Sequence, residues 1–281
     1  MVKVEDLEKT YGDYRLHLSL EIPCGSITGI IGKNGAGKST TIKSILGLIK
    51  PDSGNILVFQ KPVADLNCTD KQDIGVALSD SGFSMYLNVN DIVKIMKAMY
   101  QSFDSDSFCE KCSQWGLPMD KQIKEYSTGM KAKLRVLVAI CHGAKLLILD
   151  EPTAGLDVEA RNEILDILRE YMREDENRSI LISSHISSDL EHLCDDLYLI
   201  QDGGVILHEE TDRILDEYAL LKIEEQEYEA LDKQYVLTTK RESFGYVCLT
   251  NQRKFYLENY PKLVIENANI DDVILMMTGG K

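Results

Sequence analysis

Apolar residues follow two rhythms along this chain. Short unbroken runs, at 27–31 (Ile-Thr-Gly-Ile-Ile), 74–78, 146–149 and 179–182, read as strands buried on both faces. Between them the apolar positions fall three and four residues apart, which predicts helices over about 38–48, 90–100, 104–115, 128–141, 159–171 and 187–193. A further strand is predicted at 55–59, after the turn Pro51-Asp-Ser-Gly54. A hairpin joins 197–200 to 205–207 around Gly203-Gly204. Strands alternating with helices predict an α/β fold whose mostly parallel sheet is covered on both faces.

The texture changes after residue 208. Between Glu209 and Asp232 stand ten acids (209, 210, 212, 216, 217, 224, 225, 227, 229 and 232) and two bases, Arg213 and Lys222. That density predicts a solvated acidic helix linking the main domain, 1–208, to a small α/β unit at 233–281. Within this unit the pattern gives strands near 234–239, 245–249 and 262–266, with helices near 251–258 and 270–277. The apolar helix Ile270–Met277 has two readings, a lid over the chain's own apolar edge or a surface that packs on a partner's copy.

At 281 residues the chain suits one large domain with an appendage, and it can bury a core without disulfides or structural metal. The net charge of −15, from 46 acids against 31 bases, argues against broad electrostatic binding of nucleic acid. A phosphate ligand must then be held by a local positive feature. The seven cysteines include one close pair, Cys109-x-x-Cys112, with no second such pair to complete a zinc site, so reduced thiols and a cytoplasmic location are expected. The start, Met-Val-Lys-Val-Glu-Asp, lacks the apolar core of a signal peptide, and no apolar run reaches membrane-spanning length. The chain is expected to be soluble, or peripheral on a membrane through a partner.

Residues 32–39, Gly-Lys-Asn-Gly-Ala-Gly-Lys-Ser, follow a predicted strand and open a predicted helix. In that context G-x-x-x-x-G-K-[ST] is a phosphate-binding loop. Gly32, Asn34, Gly35, Ala36 and Gly37 let backbone N–H groups turn inward on phosphate oxygens, and the first helical turn adds partial positive charge. Lys38 reaches the terminal phosphates, the Ser39 hydroxyl is a Mg²⁺ ligand, and Thr40 follows on the helix. About a hundred residues later, Leu146–Leu149 ends in Asp150-Glu151, then Pro152-Thr153. A buried strand delivers both carboxylates to the sheet's carboxyl edge, where ligands of α/β proteins bind. Asp150 is the candidate Mg²⁺ ligand, usually through water, and Glu151 the group that accepts a proton from, or polarises, the attacking water.

Upstream of that strand, Tyr126-Ser127-Thr128-Gly129-Met130 opens a helix. Ser127 suits a helix cap. The segment also resembles the signature loop of ATP-binding cassette ATPases, usually Leu-Ser-Gly-Gly-Gln. The stretch 154–157, Ala-Gly-Leu-Asp, resembles that family's D-loop. His185 follows a strand where the family keeps its switch histidine, and Tyr11 stands where an aromatic ring stacks on adenine. The resemblance covers about residues 1–210. It implies a P-loop NTPase with an antiparallel β subdomain and a helical subdomain near 82–143. It also implies a head-to-tail dimer in which Ser127, Gly129 and Asp157 of one subunit meet the ATP held by the other.

Two departures from the family pattern stand out. Thr128 and Met130 occupy signature positions that are commonly Gly and Gln, so the Thr128 side chain is expected to narrow the approach of backbone to phosphate. Ser79 and then Asp80 stand where a glutamine usually follows the strand 74–78. A serine there is expected to be too short to replace it, leaving Asp80 as a further candidate metal ligand. The resemblance implies an Mg²⁺-dependent ATPase subunit of a bacterial exporter for drugs, antimicrobial peptides or similar amphipathic cargo. Its partners are an integral-membrane permease and a second ATPase subunit, identical or related. The alternative is a soluble cassette ATPase that acts as a nucleotide-dependent switch without transport.

Overall fold

The structure is a computed structural model and describes residues 1–79 and 82–279. The N-terminal part runs β1 (Val2–Tyr11), β2 (Tyr14–Ile22), β3 (Ile27–Ile31), α1 (Lys38–Ile45), β4 (Ser53–Val58), β5 (Lys61–Pro62), α2 (Cys68–Gln72) and β6 (Ile74–Ala77). The middle holds α3 (Val89–Met99), α4 (Ser105–Gln114), α5 (Thr128–Ile140), β7 (Leu146–Asp150), α6 (Val158–Arg173), β8 (Ser179–Ser184) and α7 (Ser187–Glu191). Then come β9 (Asp196–Gln201), β10 (Gly204–Glu210), α8 (Thr211–Glu217), β11 (Ala219–Glu224) and α9 (Glu225–Tyr228). Last are β12 (Val236–Glu242), β13 (Gly245–Thr250), α10 (Arg253–Asn259), β14 (Val264–Asn267) and α11 (Ile270–Met277).

The apolar runs assemble into one six-stranded sheet ordered β10-β9-β3-β8-β7-β6. Every pairing in it is parallel except the β9–β10 hairpin. All five residues of β3 and of β7 are buried, as strands covered on both faces require. Because β3, β8 and β7 are adjacent and in register, Ile31 lies beside Ser184, and Asp150 beside Ser183. The carboxyl ends of these three strands therefore bring the 32–39 loop, Asp150-Glu151 and His185 to one edge.

A second, antiparallel sheet ordered β2-β1-β4-β5 packs its apolar face into the core that also holds α1. Its first two strands lie outside the elements expected from the apolar runs, although Leu16, Leu18, Leu20 and Ile22 alternate with polar neighbours and are buried. The helical lobe comprises α3, α4 and α5, with Phe108, Cys112, Met96 and Leu137 in its core. Asn88 and Asp104 cap α3 and α4 through their side chains.

The acidic stretch 209–232 is not the single helical linker its composition suggested. It ends β10, forms α8, and then enters β11, an inner strand of a third sheet ordered β12-β13-β11-β14. Ala219, Leu221 and Ile223 are buried at alternate positions, and that two-residue period decides the conformation over the charge density of the flanks. The C-terminal unit thus has four antiparallel strands, begins inside the acidic stretch, and keeps its own core around Leu221, Ile223, Cys248 and Tyr256. Helix α7 also ends at Glu191, two residues short of the expected limit.

Candidate nucleotide-binding and hydrolysis site

The loop between β3 and α1 is held by close backbone packing. A Cβ on Gly32 would stand 2.4 Å from the Ile200 carbonyl oxygen of β9, so only glycine lets the two backbones meet. Gly37, the N-cap of α1, has φ of 118° and packs so tightly that a Cβ would come within 2.5 Å of the Tyr14 hydroxyl and of Leu16. Tyr14 in turn donates its hydroxyl proton to the Ala36 carbonyl at 2.9 Å. These contacts fix the loop around Lys38, whose side chain is only 6% exposed. Lys38 Nζ donates to the Gly32 carbonyl at 2.7 Å and lies 3.2 Å from Glu151 Oε1.

A cleft of about 580 Å³ opens over this loop. Of the predicted residues, Tyr11, Asn34, Gly35, Gly37, Lys38, Ser39, Thr40, Glu151 and His185 line it. Tyr11 sits at its rim with 47% of its surface exposed, accessible to a planar ring rather than packed in the core. Gly32 and Ala36 lie behind the loop as scaffold. Tyr14 and Lys33 also line the cleft and were not singled out from the sequence. Tyr14 has one local signal, an aromatic three residues from Tyr11, but its hydroxyl bond across 22 positions has none.

Beneath the cleft, Asp150 is 1% exposed and accepts three hydroxyl protons. They come from Ser183 to Oδ1 at 2.6 Å, from Ser39 to Oδ2 at 3.0 Å and from Ser79 to Oδ2 at 3.1 Å. These bonds stabilise the buried carboxylate. Ser79, expected to be too short to replace a glutamine, reaches Asp150 itself and lines the cleft. Asp80 lies outside the described residues. Glu151, immediately after the strand, has φ of 51°, an uncommon backbone conformation for a side-chain-bearing residue. Its amide donates to Ser183, at 3.0 Å to the hydroxyl and 3.2 Å to the carbonyl. Its carboxylate Oε2 meets His185 Nδ1 at 2.5 Å and accepts from the His185 amide at 3.3 Å.

Ser127, Gly129 and Asp157 do not line this cleft. Ser127 caps α5, its hydroxyl accepting from the Met130 amide at 3.2 Å, and Asp157 caps α6, accepting from the Ala160 amide at 2.9 Å. The two helix starts are neighbours, since a Cβ on Gly129 would lie 3.2 Å from that of Ala160. The three residues form one group on the chain, separate from its own phosphate loop. Thr128 lines a different cavity, an apolar groove of about 470 Å³ between β6 and α5. Val76, Phe83, Met85 and Leu134 line the same groove. Ser79 lines both cavities.

A P-loop, a buried aspartate under it, an adjacent glutamate paired with a histidine, and a separate serine–glycine helix start define an ATP-hydrolysing cassette. A family model described as ABC transporter matches residues 16–154, and a model of an AAA domain matches residues 122–188. The chain is 34% identical over 216 residues to the lantibiotic transport ATP-binding protein SrtF of Streptococcus pyogenes, covering 75% of this chain and 92% of that protein. It is 35% identical over 210 residues to the bacitracin transport ATP-binding protein BcrA of Bacillus licheniformis, covering 73% of this chain and 68% of the relative. A solved structure of an ATP-binding subunit of an ABC transporter superposes with a TM-score of 0.67 at 26% identity, covering 76% of this chain and 91% of that one. The chain belongs to the ATP-binding subunits of the ABC transporter family, and its enzymatic class is ATPase.

Proposed function

We propose that the chain drives a bacterial exporter of antimicrobial peptides, drugs or similar amphipathic molecules, by closing on ATP with a second ATPase subunit and pulling on a separate membrane permease. The observation that carries the reading is the position of Ser127, Gly129 and Asp157. They sit together but away from their own chain's cleft, so they are available to cover the ATP bound by a facing subunit. The cargo class rests on the relatives, whose names assign transport of a lantibiotic and of bacitracin.

In this reading Tyr11 stacks on the adenine, while the loop amides and Lys38 take the phosphates. Ser39 and Asp150 fit Mg²⁺, offering hard oxygen donors side by side. Among the described residues no group of three His, Cys, Asp or Glu side chains could hold a metal alone, which suits an ion that arrives with the nucleotide's phosphates. The ion supplies charge neutralisation on those phosphates. Glu151 accepts a proton from the attacking water, and His185 fixes the carboxylate's orientation through the 2.5 Å contact. Catalysis is then by positioning and charge rather than by a covalent intermediate.

The apolar groove between β6 and α5 supports a permease contact. Exposed Met85 and Val76 mark its edge, and Ser79 links its wall to Asp150. Among the described residues no helix is long and apolar enough to cross a membrane, so in this reading the membrane path belongs to the permease. The test is affinity purification of the tagged chain from detergent-solubilised membranes of its native host. A stoichiometric multi-span protein that is lost when Met85 is changed to Glu supports the proposal. Recovery of an active ATPase with no membrane protein contradicts it and favours the soluble switch.

A further inference from the structure

Helix α11 bridges the two parts of the chain, packing on β12 of the C-terminal unit and on α7 of the cassette. A capping box of Asn269 and Asp272 starts it. Its buried residues Ile270, Val273 and Met276 join the core cluster that contains Leu190, Leu193 and Cys194, and α11 lies against α7. At that contact the buried Ser187 donates its hydroxyl proton to Asp271 Oδ1 at 2.5 Å. Ser187 is the first residue of α7, two positions after His185, and α7 has no side-chain cap of its own.

The other side of α7 is tied to the catalytic edge. Asp189, fully buried, accepts from Thr153 Oγ1 at 2.6 Å and lies 3.6 Å from Arg161 Nε. Thr153 stands two residues after Glu151, and Arg161 is in α6, the helix capped by Asp157. Between β8 and α7, Ser184 and Ile186 exchange hydrogen bonds at 2.9 and 3.2 Å. His185 is therefore suspended between two anchors, Ser184 in the central sheet and Ser187 against α11.

We propose that Asp271 is a positioning residue for ATP hydrolysis. Through Ser187 it fixes the start of α7, and with it the His185–Glu151 contact, so the C-terminal unit sets the turnover rate of the cassette. This rests on the roles given above to Glu151 and His185. Removing the Asp271 carboxylate leaves the buried Ser187 hydroxyl without that acceptor and lets the segment 185–187 relax. Rates are sensitive to shifts of this kind, because misplacement by about 1 Å costs up to about a hundredfold. For one of two anchors a loss of about five- to tenfold is expected.

The experiment compares full-length Asp271→Ala, Ser187→Ala, the double variant and Asp271→Asn in steady-state hydrolysis. The expected result is a five- to tenfold fall in kcat for each alanine variant, on the order argued above, with KM for ATP within about twofold. The double variant should be no worse than either single, because both remove one bond. Asp271→Asn keeps an acceptor oxygen and should retain at least about half of the wild-type kcat. Unchanged kcat, multiplying losses in the double variant, a change confined to KM, or no rescue by asparagine would each overturn the proposal. If Asp271→Ala does not fold, Ser187→Ala against Asp271→Asn carries the same comparison. Glu151→Gln is run alongside: wild-type turnover in that variant would remove the base assignment, an outcome separate from any effect at Asp271.

Discussion

Replacing Glu151 with glutamine separates binding from hydrolysis in a way the geometry makes quantitative. Glu151 holds two partners at once, His185 at 2.5 Å and the Lys38 ammonium at 3.2 Å. To take the nucleotide's phosphates, Lys38 must leave the carboxylate, and the phosphates must approach that same negative group. Glutamine keeps the shape and an acceptor oxygen but removes the charge. A hydrogen bond to a charged group contributes about 1.5–3 kcal/mol, and Lys38 retains its 2.7 Å bond to Gly32. A net gain of about 1 kcal/mol in ATP affinity, roughly fivefold, follows. Turnover moves the other way, because loss of a positioned base costs about 10²–10⁴-fold. The assay pairs equilibrium titration of ATP·Mg²⁺ with single-turnover phosphate release. Hydrolysis within twofold of wild type would show that another group activates the water. Binding weakened tenfold would show that the Lys38–Glu151 pair builds the phosphate site rather than competing for it.

Three further outcomes follow from the packing. Ser79→Ala removes one of three hydroxyls on Asp150 and should raise the Mg²⁺ concentration for half-maximal hydrolysis about fivefold, the worth of about 1 kcal/mol; an unchanged Mg²⁺ dependence would mean Ser79 does not orient that carboxylate. Truncation after residue 210 removes Ile270, Val273 and Met276 from the main core, at about 1.5–3 kcal/mol each, so the shortened chain should melt at least about 10 °C lower or precipitate. A melting temperature within about 3 °C of the full chain would contradict that packing. Burial pushes the Cys112 and Cys141 thiols up to about 12 and Cys194 well above its usual range, so all three stay protonated at pH 8. Iodoacetamide on the native protein, read by mass spectrometry, should label exposed Cys24 and Cys68 and spare those three; their labelling at equal rates would refute it.

What the sequence made legible was chemistry carried by neighbouring residues. The phosphate loop is a local pattern between a strand and a helix, and Leu146–Glu151 states both burial and charge in six positions. Contacts between distant residues were not legible. Ser79 lies 71 positions from Asp150, and only the pairing of β6 with β7 brings them together. Strand β11 was hidden because acids dominate the composition around it, while its burial depends on alternate residues facing a core built by β12 to β14. The two readings of Ile270–Met277 could not be separated by periodicity, which shows that a helix has an apolar face but not what covers it. The structure places Ile270, Val273 and Met276 of that face in the chain's own core.

The claim that most needs direct measurement is that one ATP is shared by two subunits. Light scattering of the Glu151→Gln chain with ATP·Mg²⁺ should give twice the 31.7 kDa of a single chain, returning to one when nucleotide is removed. Adding Ser127→Arg should block the dimer while leaving ATP bound to the monomer. A monomer that holds ATP without pairing, or a dimer indifferent to Ser127→Arg, would contradict the account.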